Sequence, residues 1–571
     1  MLDAILAFEE EHIWITLALF ITANWYIYDR FVQRKHQLLI NYPIIGRMRY
    51  VFEVLREPLR QYFAEEQFYE SRDKIDWVYK AAKNAPNFMS FSISQPFSGT
   101  RFIIKHSQIV KNDNEIDKDL KVTFGEKQKI PFTASSVIAR SAMSDGALSP
   151  ESTRAFALGG AEANFPINTG EGGLTSNYFV SHRLNSDDHA YLDVVEKRFF
   201  PELMFKINST LFNTAVAIKR YRSHMLPSKT SDTYIYDPES HCLFRPNWNA
   251  ALETFPKEVP EDMPDLILQI GSGLYGVRDD NGDFDPIRYK KAMSFCRMTE
   301  VKIAQGAKQT GGKIIGAKVT DDIAYYRGVE AGKDLISPNR FPYANTTEEL
   351  FDFIGKLQEL SDKPVGMKIV ISDRGDTDDM VKFIKQRKEE GKSYPDFITV
   401  DSGQGGSATA PLELMESIGL STSNALFVLD SILRKHGVRD DLRIIISGKI
   451  LTPDDIVILL SLGADFVAIA RGFMMSAGCI RARVCAGTGG HICPVGLATQ
   501  DKRRRASFLV VRKSHEIANY HNNLIKGIKT LLAVMGHSNV SELCKNDLAY
   551  KTPAGETFFN VEKHFHDKLH V

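Results

Sequence analysis

The chain has 571 residues, 43% hydrophobic and 25% charged, which is typical of a folded globular protein with a full core. Its formal net charge is zero, which argues against nucleic acid or another polyanion as a partner. Its six cysteines, three of them crowded between positions 479 and 493, do not suggest a disulfide framework and favour a reducing compartment.

The first distinctive element is an apolar stretch over residues 13–28. As a helix it would extend about 24 Å, slightly less than the ~30 Å of a hydrocarbon core. Trp14, Trp25 and Tyr28 near its ends suit a membrane interface, and the basic residues from Arg30 onward predict that the rest of the chain faces the cytoplasm. We therefore expect residues 1–30 to be a single-pass membrane anchor; the alternative is a buried or partner-binding helix.

Two mainly helical segments are expected on either side of a central domain. Residues 31–125 are charged and aromatic, with helical periodicity in "MRYVFEVLREPLRQYFAEEQF", and are expected to form a helical collar with a short strand near "RFIIKHSQIV". Residues 511–571 are expected to form a carboxyl-terminal helical extension.

In the central domain, residues 126–510, eight apolar runs end in glycine or polar residues. They are "SVIARSAMSDGALS", "NFPINTGEGG", "LILQIGSGLYG", "VKIAQGAK", "VGMKIVIS", "FITVDSGQGG", "RIIISGK" and "FVAIARG". Such runs are typical of parallel strands buried on both faces. Eight of them predict an α/β fold, a closed (β/α)8 TIM-like barrel with its chemistry at the carboxyl ends of the strands. An open doubly wound sheet is the alternative.

A long insertion, residues 175–260, separates the second run from the third. Its first part, "AYLDVVEKRFFPELMFKINSTLFNTAVAIKRY", is helix-like and its later part is loop-like.

The last two runs predict a phosphate site. One ends in Ser447, Gly448 and Lys449, and the other ends in Arg471 and Gly472. In barrels the loops after strands seven and eight often bind phosphate. Glycine lets backbone N–H groups approach an anion, and arginine adds a bidentate donor. Ordinary turn glycines would explain either motif alone.

Lys368 lies inside the apolar run "GMKIVI". A lysine there must point into the barrel mouth, where it would neutralise charge on an anionic cofactor, or pair with a core carboxylate such as Asp401. The sequence alone leaves both roles open. The glycine-rich loops "VDSGQGGSATAP" and "NTGEGG" suit close backbone approach to a planar ligand, although each is weak evidence alone.

Ten motifs occur in order: "SAMSDGALS", "NTGEGG", "QIGSGLYG", "KIAQGAK", "LISP", "KPVGMKI", "DSGQGGSATAPLE", "SGKILTPDDIVILLSLGADF", "ARGFMMSAGCI" and "CPVGLATQD". Together they resemble the FMN-binding domain of glutamate synthases, and in particular the stand-alone FMN-binding glutamate synthase family, whose members often begin with a hydrophobic helix. The resemblance covers most of residues 40–510 apart from the insertion.

This resemblance implies an FMN-dependent oxidoreductase that reduces 2-iminoglutarate, formed from 2-oxoglutarate and ammonia, to L-glutamate. Electrons would come from an external donor such as ferredoxin or a redox subunit. The residues that match the family's flavin site are Met143, Ser144, Gln305, Lys368, Ser402, Gly403, Gly405, Gly406, Ser447, Gly448, Lys449, Arg471 and Gly472. The implied catalytic residues are Lys368, Gln305 and Lys308, the last of which would place the substrate's carboxylates by charge.

The resemblance also implies that Cys479, Cys485 and Cys493 hold a [3Fe–4S] cluster that passes electrons to the flavin. The family separates these cysteines by five and then four residues, whereas this chain separates them by five and then seven. His491, in the longer segment, is a competing ligand, and three reduced cysteines in a loop are the alternative.

Other departures lie at the expected active-site mouth, where "GAKQTGGK" and "SGQGGSAT" lack acidic residues common in the family. They leave two further possibilities: a flavin dehydrogenase for another small acid or N-substituted amino acid, and a non-catalytic membrane-bound barrel scaffold. Leu2 stands where a glutaminase cysteine would follow the initiator, and no GxGxxG opens a strand–helix unit. We therefore expect ammonia and electrons to come from outside the chain.

Overall fold

The computed structural model describes residues 13–52, 72–87, 101–197 and 234–569, except positions 238, 241, 307, 309, 310, 412, 416, 483, 488–491 and 553. At its centre is a closed barrel of eight parallel strands, in chain order around the ring. These strands are β1 (Ile138–Arg140), β2 (Ile167–Asn168), β3 (Leu266–Ile270), β4 (Met298–Lys302), β5 (Val365–Ile369), β6 (Phe397–Asp401), β7 (Arg443–Ser447) and β8 (Phe466–Ile469). Each predicted strand is confirmed, and the open-sheet alternative is wrong.

Helices surround the barrel and connect its strands. They are Pro150–Ala163 after β1, Pro286–Met293 after β3, Asp321–Arg327 and Thr347–Ser361 after β4, Arg374–Glu389 after β5, Thr422–His436 after β6, Pro453–Ser461 after β7 and Arg471–Ser476 after β8. Several begin at side-chain caps followed by proline. Ser149 precedes Pro150, and Asp285, whose carboxylate accepts two backbone N–H groups, precedes Pro286. These local signals fix where the helices start relative to the strand ends.

An aromatic plug closes the amino-terminal end of the barrel. Strands Val122–Phe124 and Phe132–Ala134 form an antiparallel hairpin there. Phe124 is fully buried and packs edge-on against Phe397 of β6 and Phe466 of β8, with ring centroids 5.7 and 5.3 Å apart. The buried Lys368 and Asp401 lie near the carboxyl ends of β5 and β6, at the opposite end of the barrel from this apolar packing.

The insertion between β2 and β3 contains a three-stranded antiparallel sheet. Its strands are Leu192–Lys197, Cys242–Pro246 and Ile235–Asp237, with Cys242–Pro246 in the centre. The helical expectation is therefore wrong for residues 192–197, because "LDVVEK" finds a strand partner about fifty residues later in the chain. Residues 198–233, which carry the rest of that expectation, lie outside the described residues.

The expected collar and carboxyl-terminal extension contain strands as well as helices. The collar has helices Gln37–Asn41 and Arg72–Ala82 and the expected strand, Arg101–Ile104; residues 53–71, which include most of its periodic stretch, lie outside the described residues. The extension has helices Val510–Met535 and Val561–Leu569, and its strands Leu548–Lys551 and Thr557–Phe558 form a sheet with Arg101–Ile104. The domain boundaries stay predictions.

The apolar stretch near the amino end forms the helix Ile13–Ile27, continued by one π-helical turn, Tyr28–Val32. Over the described parts of the chain, no helix combines the length and apolar character needed to cross a membrane. The predicted single-pass anchor is therefore unsupported, and a membrane location stays a prediction from the sequence.

Candidate active site

A buried ion pair lies at the carboxyl end of the barrel. The Lys368 Nζ atom of β5 is 3.2 Å from the Asp401 Oδ2 atom of β6, and both side chains are buried. Burial disfavours the charge on Lys368, but Asp401, Glu300 and Glu171 outweigh burial and raise the pKa of Lys368. Lys368 is therefore a charged lysine that points into the barrel mouth and also pairs with Asp401.

Glu300 on β4 forms the centre of a second buried network. Its carboxylate accepts hydrogen bonds from Asn168 Nδ2 at 2.8 Å, from Gln269 Nε2 at 2.6 Å and from the Thr399 hydroxyl. Three donors from three other strands, β2, β3 and β6, hold this carboxylate in place inside the barrel. Sequence reasoning missed Glu300, although a glutamate two residues before Lys302 in an apolar strand carries the same signal as Lys368.

The loop after β4 brings two predicted catalytic residues to the loop after β6. Gln305 Nε2 donates to the Gly406 carbonyl at 3.1 Å, and Lys308 Nζ donates to the Thr409 hydroxyl at 3.3 Å. The Gly306 N–H donates to Asp401 Oδ2 at 3.1 Å, which connects this loop to the buried ion pair. Burial, with the nearby cations Lys302 and Lys313, lowers the pKa of Lys308 in spite of Glu171.

A further ion pair at the same mouth was not predicted. Lys302 Nζ donates to Glu171 Oε2 at 3.0 Å, joining the end of β4 to the loop after β2. A Cβ atom on Gly312 would lie 2.2 Å from Glu171 Oε1, so this glycine makes room for the carboxylate. From the sequence, the motif "NTGEGG" indicates only a glycine-rich loop and does not reveal the role of its Glu171.

The predicted phosphate residues lie beside one another because β7 and β8 are hydrogen-bonded neighbours. Gly448 has a φ of +132°, and a Cβ atom there would lie 2.4 Å from the Ser402 hydroxyl oxygen. A Cβ atom on Gly406 would lie 3.4 Å from Arg471 Nη2, which places the β6 loop against the end of β8. The structure therefore brings the glycines and the guanidinium to one rim, as a phosphate cradle requires.

Two of the predicted glycines are required by packing. A Cβ atom on Gly472 would lie 2.1 Å from the Tyr520 hydroxyl, and one on Gly403 would lie 2.4 Å from the Gly419 carbonyl oxygen. The remaining predicted residues of this rim, Ser402, Gly405, Ser447 and Lys449, lie at the ends of β6 and β7 or directly after them. Ser402 accepts a hydrogen bond from the Thr422 hydroxyl at 2.9 Å.

Two buried arginines hold the loop that carries Met143 and Ser144. Arg140 Nη1 donates to the carbonyls of Ser141 and Met143 at 3.0 and 2.9 Å. Arg327 Nη2 donates to the Asp145 carbonyl at 2.9 Å. Burial lowers the pKa of both guanidinium groups. The loop after β1 therefore lies between two buried cations, a feature that the sequence did not reveal.

The three crowded cysteines lie in one neighbourhood. Cys493 is buried, Cys479 and Cys485 are half-buried, and all three are free thiols. Burial raises the pKa of Cys479 to about 12, with smaller contributions from the other two thiols. No three histidine, cysteine, aspartate or glutamate side chains in the described ranges are grouped so that they could hold a metal ion. His491 lies outside those ranges. The thiols as placed do not fit the [3Fe–4S] cluster, which stays a prediction from the resemblance.

A closed parallel barrel with buried charged side chains at its carboxyl-end mouth has the architecture of a barrel enzyme. The family model described as "Conserved region in glutamate synthase" matches residues 98–538. The chain therefore belongs to the glutamate synthase family, and it is an oxidoreductase.

Curated relatives agree with this assignment. The glutamate synthase large subunit-like protein YerD of Bacillus subtilis is 30% identical over 99% of this chain and 98% of its own length. The archaeal-type glutamate synthase [NADPH] of Thermotoga sp. is 30% identical over 50% of this chain and 54% of that protein. The archaeal glutamate synthase [NADPH] of Methanocaldococcus jannaschii is 31% identical over 51% of this chain and 53% of that protein. The chain thus aligns with about half of each archaeal-type enzyme.

Proposed function

We propose that the protein binds FMN and reduces an imino acid such as 2-iminoglutarate to the amino acid, with electrons from an external donor. The observation that carries this proposal is the position of Lys368. Its charge is maintained by Asp401 and Glu300, and it lies at the same barrel end as the glycine rim beside Arg471. A buried cation beside a phosphate cradle suits a phosphorylated, redox-active ring.

The rim residues fit FMN in charge and in space. Gly406 and Gly448 would let backbone N–H groups approach the phosphate, and Arg471 and Lys449 would neutralise it. Met143 and Ser144 lie in the loop held by Arg140 and Arg327, and they would border the ring system. When bound and reduced by the external donor, FMN would supply the two electrons and the hydrogen that the substrate carbon gains. Lys368 would stabilise negative charge that develops on the ring during reduction.

The cations of the β4 loop suit a dicarboxylic substrate. Lys302 ends β4 and Lys308 follows six residues later, with Glu171 beside Lys302. A lysine ammonium group binds a carboxylate as a point charge, and two of them would orient both ends of an imino diacid. Gln305, fixed to the Gly406 carbonyl, would hold the substrate side of the β4 loop against the flavin rim. Ammonia, or another amine, and the 2-oxo acid would enter from solution.

Anaerobic purification tests the first part of the proposal. We expect yellow protein with one FMN per chain, whereas colourless protein that takes up no added FMN would refute flavin binding. The chemically reduced enzyme should then be reoxidised by 2-oxoglutarate plus ammonium, and not by either alone. Reoxidation only by a different small acid or N-substituted amino acid would favour the dehydrogenase alternative.

A matched pair of variants tests the substrate cation. Lys308→Met should weaken 2-oxoglutarate binding by more than tenfold with FMN retained, because an ion pair to a desolvated substrate carboxylate is lost. Lys385→Met, on the outer helix Arg374–Glu389, is the control and should change neither. An unchanged KM in Lys308→Met would exclude its substrate role.

Iron and sulfide assays on the same preparation, repeated with Cys485→Ser, test the cluster: an unaltered paramagnetic signal in that variant would exclude Cys485 as a ligand.

A further inference from the structure

An exposed apolar helix leads into one side of the protein. Helix Ile13–Ile27 carries large apolar side chains on all its faces, and among them Trp14, Leu19 and Phe20 are 79%, 67% and 66% exposed. A helix that is apolar all round is normally covered by protein or by lipid. The described residues leave this one uncovered.

Asp29 fixes the carboxyl-terminal end of this helix, here called the helix foot, to the rest of the protein. Its buried carboxylate accepts hydrogen bonds from the Ile44 N–H at 3.1 Å and from Arg47 Nε and Nη2 at 2.9 and 2.6 Å. The Arg47 guanidinium also lies over the Trp25 ring, 5.3 Å from its centroid. The helix therefore leaves the protein at a defined place.

A basic cavity opens beside that foot. It has a volume of about 740 Å³, and its lining includes three cations, Arg34, Lys83 and Arg512, together with His515. The acid in the lining, Glu516, is already paired with Arg512 Nε at 3.0 Å and with the neighbouring Lys513. The rest of the lining is Asn519 and the apolar residues Ala82, Leu509, Val510 and Val511.

The excess of positive charge extends beyond the cavity. His36 lies close to it, and its pKa is lowered first by burial and then by Lys83, Arg512, Lys513 and Arg49. At the helix foot, burial lowers the pKa of Arg30, and the neighbouring cations Arg504 and Arg503 lower it further. Positive charge therefore surrounds the point where the apolar helix leaves the protein.

We propose that the helix Ile13–Ile27 and the basic cavity form one docking surface for a bilayer that contains anionic lipids, with the cavity receiving lipid phosphate headgroups. An acidic protein surface would match the cations but would leave the apolar helix in water. An uncharged bilayer would cover the helix but would not be attracted by the surrounding cations. An anionic bilayer satisfies both, because basic residues beside a membrane segment are attracted to acidic headgroups.

Flotation of the full chain with lipid vesicles tests this surface. The unmodified protein should bind phosphatidylcholine vesicles containing phosphatidylglycerol at least tenfold more tightly than phosphatidylcholine vesicles alone. Each basic residue at an anionic surface contributes about a fivefold factor, so Lys83→Gln with Arg512→Gln should weaken binding about 25-fold. Leu19→Glu with Phe20→Glu should abolish binding to both kinds of vesicle.

The control variant removes the same amount of positive charge, two lysines, from a different surface of the protein. Lys382→Gln with Lys385→Gln, on the outer helix Arg374–Glu389, should leave vesicle binding unchanged. Equal affinity of the unmodified protein for both vesicle types would overturn the headgroup site, and that comparison depends on no variant. An equal loss in the control pair would also overturn it. Tight binding of an acidic protein without any binding to vesicles would assign the surface to the other occupant.

Discussion

Removing both partners of the Lys368–Asp401 pair should destabilise the protein less than the sum of the two single removals. Two unit charges 3.2 Å apart attract by about 5 kcal/mol at an effective dielectric constant of 20. Breaking a buried pair by removing one partner typically costs about 3–5 kcal/mol, because an uncompensated charge remains. Lys368→Met should reach that range, since Asp401 would keep the neutral Gly306 N–H donor but lose its cation. Asp401→Asn should cost less, because Glu300 and Glu171 still act on Lys368.

The assay is a double-mutant cycle in urea, followed by tryptophan fluorescence and repeated with added FMN. The Lys368→Met/Asp401→Asn protein should be more stable than the sum of the single effects by about 2–3 kcal/mol. Simple additivity within about 0.5 kcal/mol would refute the buried pair.

Lys368→Met should also lower the reduction potential of bound FMN, because a cation beside the reduced ring is lost; Lys382→Met, on the surface, should not.

Three further predictions concern other parts of the fold. Asp430 is fully buried and accepts from Arg434, Arg439 and Lys545, so Asp430→Asn should lower the free energy of unfolding by about 3–5 kcal/mol; a urea midpoint within error of the parent would contradict this. Burial disfavours the charged form of His182, but hydrogen bonds to Asp188 and Asp262 outweigh burial and raise the pKa of His182. Its stabilisation should be complete below about pH 6.5 and lost as the pH rises through the folded-state pKa, so the melting temperatures of His182→Asn and the parent should converge in alkali; a constant difference from pH 5 to 9 would disprove this. Gly448→Ala should lower FMN affinity more than tenfold, since its Cβ would collide with Ser402, whereas Gly437→Ala, with φ +70° and open space around it, should cost only about 1 kcal/mol of stability; equal FMN affinities would count against the cradle.

The barrel could be predicted because each strand carries its own signal. Runs such as "FITVDSG" and "RIIISGK" are apolar throughout and end in glycine or polar residues, and a parallel strand buried on both faces requires that pattern. The charged lysine in β5 was visible for the same reason: it breaks an apolar run. Glu300 was equally visible in principle, but the apolar run "VKIAQGAK" begins one residue after it, at Val301, whereas the strand begins at Met298.

Features that depend on distant partners could not be predicted. Residues 192–197 become a strand because Cys242–Pro246 lies alongside them, and local periodicity does not contain that pairing. Arg327 donates to the Asp145 carbonyl of the β1 loop, 182 positions earlier in the chain. Whether three cysteines converge on a metal depends on tertiary distances that spacing alone does not give.

The aromatic hairpin that fills the amino-terminal end of the barrel keeps this stabilising packing apart from the candidate active site. Phe124, Phe397 and Phe466 pack together at the end of the barrel opposite the charged candidate catalytic residues. Substitutions that improve this packing should therefore raise the melting temperature and leave turnover unchanged. Any molecule that reaches Lys368 must then approach from the opposite rim, and reductant and substrate would have to share that approach or take turns.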